Sequence, residues 1–192
     1  MDSESPKFSF KPECECKRCG FVSDFLNYRG LSFQAAGKII GTSHSAVFHS
    51  LKTDDMRLSA IWRLFEAEGY SINMQLVRDG DNEMDVVGGT KDFTVGSNGK
   101  VKLKRTSFIS FALKRYNIGR YEMAGKLGLE YSTCRRWLSD EIDDMYISRV
   151  YSIAKTFDLN LIITITPKEV DPVDETKPRV MVRFINEKVQ NI

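Results

Sequence analysis

Two groups of side chains in the first quarter of the chain have residue types that bind metal ions. Cys14, Cys16 and Cys19 lie within six residues, and thiolates at short spacing are common zinc ligands. A tetrahedral site needs a fourth ligand, and none follows at a standard spacing, so free thiols are favoured and zinc binding is the weaker alternative. His44 and His49 are five residues apart and do not share a helix face as zinc ligands at i and i+4 would. We predict no metal and no cofactor.

A local concentration of positive charge points to nucleic-acid chemistry instead. The 28 Lys and Arg residues nearly balance the 26 Asp and Glu residues, so the net charge of +2 is uninformative. Residues 100–136, however, contain ten basic and two acidic side chains, a local net charge of +8. Lysine and arginine neutralise phosphates, and arginine can also bind guanine through two hydrogen bonds.

Composition and simple motifs exclude several other function classes. A chain of 192 residues with 42% hydrophobic and 28% charged residues can bury a core, and no apolar stretch approaches the ~20 residues of a membrane span. The polar N-terminus does not resemble a signal peptide, and the crowded cysteines fit a reducing cytoplasm, so we expect a cytoplasmic protein without a membrane partner. Without a phosphate-binding glycine loop or a strong metal-ligand cluster, an enzyme is not expected.

The elements that would position the basic residues occur twice in the sequence. A shift of 87 residues superposes a run of apolar positions and also Gly41 on Gly128. After two inserted residues the shift becomes 89, and Ile72 falls on Leu161. Such a run of similar residues with one small gap predicts two copies of one module.

Each copy has a helical period over most of its length and a period of two at its end. The apolar spacing indicates four amphipathic helices, with Ser32 and Ser43 at expected N-caps and Gly41 at a C-cap. The strand-like alternation that follows involves Ile72, Met74 and Leu76 in the first copy and Leu161, Ile163 and Ile165 in the second. The other residues expected in the core are Trp62, Cys134, Trp137 and Tyr151.

These patterns divide the chain into five segments. They are an N-terminal arm (1–20), a first repeat (21–79), a connector (80–105), a second repeat (106–168) and a C-terminal tail (169–192) with a possible strand from Val180 to Phe184.

The connector contains a hairpin signal at Ser97-Asn98-Gly99. A two-residue Asn-Gly loop would place Phe93 and Val95 on the face opposite Val101 and Leu103. A three-residue loop with a left-handed glycine places all four side chains on one face, and we prefer this second register.

Two short helices joined by a tight glycine turn form the centre of a helix-turn-helix motif. Gly37 and Ala124 supply the small residue that lets the third helix approach the second. The turns Ile40-Gly41-Thr42-Ser43 and Leu127-Gly128-Leu129-Glu130 share the order apolar, glycine, any residue, cap. On these residues the sequence resembles the phage-repressor/Cro-like helix-turn-helix family, over about 21–68 and again over about 108–157.

The resemblance implies a mainly α fold with two lambda-repressor-like helix-turn-helix bundles in tandem, each followed by a β-strand, with a small β-hairpin between them. It also implies binding to double-stranded DNA, with the third helix of each copy in the major groove. The DNA-binding residues it implies are His44, Ser45, Phe48, His49, Arg120, Lys126, Tyr131, Ser132, Thr133, Arg135 and Arg136. Expected phosphate contacts are Lys38, Lys102, Lys104, Arg105, Lys114 and Arg115.

Each residue prediction has an alternative. Arg135 and Arg136 could form a solvated helix face, and His44 and His49 could be ordinary surface residues. Because the basic surplus lies on the second copy, we expect that copy to dominate the affinity for DNA.

The leading functional hypothesis is a sequence-specific DNA-binding protein, a transcriptional regulator of bacterial or phage type. The alternative is a protein-interaction or antitoxin-like module on the same scaffold, favoured by the balanced charge of the first copy. We further predict that Tyr70–Val77 and Leu159–Thr166 pair antiparallel about a pseudo-twofold axis, so that one chain mimics a dimer. Each strand could instead pair with its counterpart in a homodimer or with the strand at 180–184.

Overall fold

The structure is a computed structural model that describes residues 17–81, 93–95, 101–103, 105–138, 144–168, 180–185 and 188–191. Over these residues the chain is mainly helical, with eight helices and six strands. The helices fall into two sets of four, and a long strand follows each set.

The first unit consists of α1 (Gly20–Arg29), α2 (Phe33–Ile40), α3 (His44–Lys52), α4 (Leu58–Ala67) and β1 (Tyr70–Arg78). Both predicted serine caps are confirmed: the Ala35 and Ala46 amides donate to the Ser32 and Ser43 hydroxyls over 3.2 and 3.1 Å. Gly41 ends α2 at φ 83°. This left-handed conformation favours glycine and confirms the predicted C-cap.

The second unit repeats this order with α5 (Ser107–Arg115), α6 (Arg120–Leu127), α7 (Tyr131–Leu138), α8 (Ile147–Thr156) and β4 (Leu159–Pro167). Gly128 ends α6 in the left-handed conformation, as Gly41 ends α2. The two glycines that the sequence comparison superposes therefore occupy equivalent places.

The two long strands pair antiparallel, as predicted. Ile72 lies opposite Ile165, Met74 opposite Ile163, and Leu76 opposite Leu161. The C-terminal strand β5 (Val180–Ile185) pairs with the other edge of β4, and β6 (Lys188–Asn191) pairs with β5. The resulting four-stranded sheet has the order β1-β4-β5-β6. The pairing of a long strand with the C-terminal strand, given above as an alternative, is therefore present together with the β1–β4 pairing.

The connector forms a second, two-stranded sheet from β2 (Phe93–Val95) and β3 (Val101–Leu103). Phe93 pairs with Leu103 and Val95 with Val101. This is the register of the three-residue loop, and the two-residue Asn-Gly alternative is excluded. Directly opposed residues lie on the same face of a sheet, so all four positions share one face.

A pseudo-twofold relation is visible in the hydrogen bonds between the units. The Leu58 amide donates to the Met145 carbonyl over 2.8 Å, and the Ile147 amide donates to the Met56 carbonyl over 2.9 Å. The shift of 89 converts Leu58 into Ile147 and Met56 into Met145, so the two hydrogen bonds are equivalent. Arg57 and Tyr146, which form an isolated β-bridge, also differ by 89. Such reciprocity is the signature of an isologous interface, here formed within one chain.

The same symmetry governs the starts of α4 and α8. Neither helix has a capping side chain of its own. Instead, the Asp144 carboxylate accepts from the Ser59 amide at 2.9 Å and hydroxyl at 2.7 Å. Asp55 accepts from the amide and hydroxyl of Ser148 at 3.1 and 2.9 Å. Each unit therefore caps a helix of the other, and the negative charge lies where the helix dipole favours it.

One hydrophobic core runs through both units. Trp62 and Cys134 are buried as predicted, with exposed fractions of 2% and 0%. Trp137 and Tyr151 are only half-buried, so the prediction of core positions is wrong in degree for these two. The Arg149 guanidinium carbon lies 5.8 Å from the centroid of the Trp137 ring. The indole is therefore at the edge of the core.

We expect Asp55→Ala and Asp144→Ala each to lower the free energy of unfolding by about 1–2 kcal/mol, because each removes a helix cap and leaves an amide unsatisfied. Urea denaturation would measure the loss, and the dependence of the unfolding free energy on urea concentration should stay unchanged. The control is Glu66→Ala on the exposed face of α4, which should change stability by less than about 0.5 kcal/mol. Aspartate variants as stable as this control would show that the reciprocal caps contribute nothing.

Candidate nucleic-acid interface

The turn between α2 and α3 is built on a close approach at Gly37. The amides of Gly41 and Thr42 both donate to the Gly37 carbonyl, over 2.9 and 2.8 Å. A Cβ atom at residue 37 would lie 2.8 Å from the Thr42 carbonyl oxygen and 3.2 Å from the His44 nitrogen. Glycine is therefore required here, and it lets α3 start directly against α2.

The turn between α6 and α7 has the same plan with a looser contact. The Leu129 amide donates to the Ala124 carbonyl over 2.9 Å, as Thr42 does to Gly37. Ala124 carries its Cβ at this position and is buried with 6% exposure. The second unit therefore needs a small residue here but not glycine.

The predicted residues of α3 share one exposed surface. His44, Ser45, Phe48 and His49 are all exposed, whereas Val47 between them is buried. The Ser45 hydroxyl lies 3.3 Å from the His44 ring nitrogen Nε2. These four side chains can therefore reach a partner molecule without any change in the helix.

The predicted residues of α7 are less uniform. Ser132, Arg135 and Arg136 are exposed, but Tyr131 and Thr133 are half-buried. The Ser132 hydroxyl donates to the Glu130 carboxylate over 3.2 Å. Arg135 and Arg136 are the cationic groups of this helix, and both are exposed.

Several of the flanking cations are engaged within the protein. The Lys126 ammonium lies 2.9 Å from the Glu122 carboxylate, and this hydrogen bond lowers the pKa of Glu122. The Arg115 guanidinium lies 3.7 Å from the Asp81 carboxylate. Arg105 is half-buried. These three residues are less available to phosphates than their charge suggests.

The remaining predicted phosphate contacts, and the predicted DNA-binding residue Arg120, differ in how they are placed. Lys38, Lys114 and Arg120 are exposed. Lys102 belongs to β3, and Lys104 lies outside the described residues. Arg120 occupies the first position of α6.

Two aromatic pairs across these helices were not recognised from the sequence. Phe33 and Phe48 join α2 to α3 with ring centroids 5.8 Å apart. Tyr121 and Tyr131 join α6 to α7 as a parallel stack at 4.1 Å. Tyr121 is 75% exposed and was missed as a candidate; its position in the first turn of α6, beside Arg120, was the only available signal.

The cysteine prediction can be followed only at Cys19, since Cys14 and Cys16 lie outside the described residues. Cys19 is buried, and burial together with the Asp54 and Asp55 charges raises the pKa of its thiol to about 12. Zinc binding requires a thiolate, which this setting disfavours. Within the described part of the chain, no three His, Cys, Asp or Glu side chains are grouped to hold a metal ion.

The residues just before α1 contact the loop that follows α3. The amides of Arg18 and Cys19 donate to the Asp54 carboxylate over 2.8 and 2.7 Å, and α1 starts at Gly20. Two hydrogen bonds therefore hold the last residues of the predicted arm 1–20 against Asp54, which lies two residues after α3 ends.

Comparisons with protein-family models, curated proteins and solved structures found no match. Among the helices that the structure describes, none has the length and apolar character to cross a membrane.

Two glycine substitutions in equivalent helices should have opposite effects. Gly37→Ala should lower the free energy of unfolding by about 1–3 kcal/mol, because the new Cβ forces the turn and α3 apart. Gly125→Ala should raise it by about 0.5–1 kcal/mol, because nothing lies within 4 Å of the new Cβ and alanine favours a helix. Urea denaturation of both variants would measure whether the free energy of unfolding falls or rises. A stabilising Gly37→Ala would contradict the close contact between residue 37 and the Thr42 carbonyl.

Proposed function

We propose that this protein is a sequence-specific DNA-binding protein and a transcriptional regulator, built from two helix-turn-helix units in one chain. The third helix of each unit, α3 or α7, enters the major groove. The protein acts as a pseudo-dimer, in which one polypeptide supplies both halves of a DNA-binding surface. Its partner is double-stranded DNA, and it needs no cofactor.

The observation that carries this proposal is the pseudo-twofold relation between two exposed third helices. The reciprocal bonds of Leu58 and Ile147 relate the two units, and each third helix follows a tight glycine turn. DNA half-sites are related by a twofold axis, so a protein with this symmetry can address two of them together. The exposed Arg135 and Arg136 supply donors for guanine or phosphate.

A protein-interaction or antitoxin-like role is the second candidate. It is favoured by the exposed aromatic rings of Phe33 and Phe48 on the first unit and by the absence of arginine from α3. An interface for a protein partner is commonly rich in aromatic residues.

Salt-dependent binding to random duplex DNA separates the two candidates. Each phosphate neutralised by Lys or Arg releases counterions, so the logarithm of the binding constant should fall linearly with the logarithm of salt concentration. Binding that is absent at low salt would favour the protein-interaction role. Selection of bound sequences from a random DNA pool would then identify the preferred site.

The second unit should contribute more affinity than the first. Arg135→Ala and Arg136→Ala together should weaken binding to the selected site by about 1–3 kcal/mol per arginine that contacts a base. His44→Ala with His49→Ala is the comparison pair on α3, where His49 is the equivalent of Arg136, and it should have a much smaller effect. Quantitative titration at fixed salt would measure both, and equal losses would contradict the asymmetry.

The chain should bind DNA as a monomer. Light scattering should report one chain per particle, and a footprint should cover two half-sites about 10 bp, or roughly 34 Å, apart. Crosslinking through cysteines placed at Met74 and Ile163, opposite each other in the sheet, should occur within one chain. An obligate dimer with crosslinks between chains would contradict the pseudo-dimer.

A further inference from the structure

The exposed surfaces of the two units differ in chemistry at equivalent positions. Under the shift of 87, Phe33 corresponds to Arg120 and Phe48 to Arg135. Phe33 and Phe48 are 39% and 51% exposed, and both arginines are exposed as well. One unit therefore presents an aromatic pair where the other presents two guanidinium groups.

The Phe48 ring is a surface group held in place. It follows the buried Val47 on α3, and its ring centroid lies 5.8 Å from that of Phe33 on α2. A phenyl ring has no conventional hydrogen-bonding group, so on a base edge its favourable contact is with an apolar group. On the major-groove edges of B-DNA, the apolar group is the C5-methyl of thymine, which phenylalanine side chains contact.

The charges around this aromatic pair favour DNA over a protein as its ligand. Residues 25–53 contain no aspartate or glutamate. Of their three cations, Lys38 and Lys52 are exposed, and Arg29 pairs with Glu68 over 3.0 Å. The nearest following carboxylate, Asp54, accepts hydrogen bonds from the amides of Arg18 and Cys19. The two helices that carry the aromatic pair therefore hold two exposed lysines and no carboxylate, which is compatible with a methyl group flanked by phosphates.

We infer that the DNA site is asymmetric, with a thymine-containing half-site recognised by Phe48 of the first unit and a guanine-containing half-site recognised by Arg135 of the second. This inference rests on the proposed DNA-binding function and extends it to the chemistry of the bases. Because the two units belong to one chain, each can carry a different reading surface, which a homodimer cannot.

The first test replaces thymine by deoxyuridine in the selected site, which removes only the C5-methyl group. In one half-site, this change should weaken binding of the full-length protein about fourfold per contacted methyl, which corresponds to ~0.8 kcal/mol. In the other half-site it should have little effect. Phe48→Ala should bind the thymine and deoxyuridine duplexes equally, since the group that senses the methyl is gone.

The second test exchanges the chemistry of the two surfaces. Phe48→Arg should change the base selected at the contacted position from thymine to guanine, as expected for Arg135 at the equivalent place. Phe48→Leu is the control, because it keeps an apolar side chain and should retain the preference for thymine over deoxyuridine. Thermal melting of each variant checks that the fold is intact.

The outcomes distinguish this inference from the proposed function. Absence of salt-dependent binding to any duplex would overturn both. Normal salt-dependent binding with equal affinity for thymine and deoxyuridine in both half-sites would overturn only the inference, and so would a Phe48→Ala variant that keeps the full methyl dependence. Either of the last two results would show that the Phe33–Phe48 surface does not read a thymine methyl group.

Discussion

The antiparallel pairing of β1 with β4 is the interaction on which the rest of the structure depends. Each strand would otherwise expose a nine-residue edge with one apolar face, which soluble proteins avoid. Pairing satisfies both backbones and places Met74 directly opposite Ile163, two residues that differ by 89 in number. Because α4 and α8 lead into these strands, the same pairing draws the starts of both helices together.

Once these helix starts meet, each unit completes the other. Asp144 caps α4 and Asp55 caps α8, so neither helix is fully satisfied within its own unit. The symmetry of these contacts also has a consequence for function. Two subunits of a homodimer must carry identical surfaces, whereas two units of one chain can differ, as they do at the equivalent positions Phe48 and Arg135.

The candidate interface shows how tertiary contacts change the meaning of charge. The segment 100–136 has a net charge of +8, yet Lys126 pairs with Glu122 and Arg115 lies near Asp81. Surface ion pairs of this kind contribute little to stability, but they compete with phosphates for the same cations. The total charge of the segment therefore overstates how many of its cations could contact phosphates.

The sequence by itself determined the features that depend on neighbouring residues or on the repeat. These are the caps at Ser32 and Ser43, the left-handed Gly41, and the strand register, because the alternation puts the apolar positions of β1 and β4 opposite each other. It did not determine the caps supplied by Asp55 and Asp144 or the stack involving Tyr121, and it overestimated the burial of Trp137. Those features depend on how separate helices meet. Their partners lie on other elements, up to 93 residues away, and only the packing of the two units brings them within bonding distance.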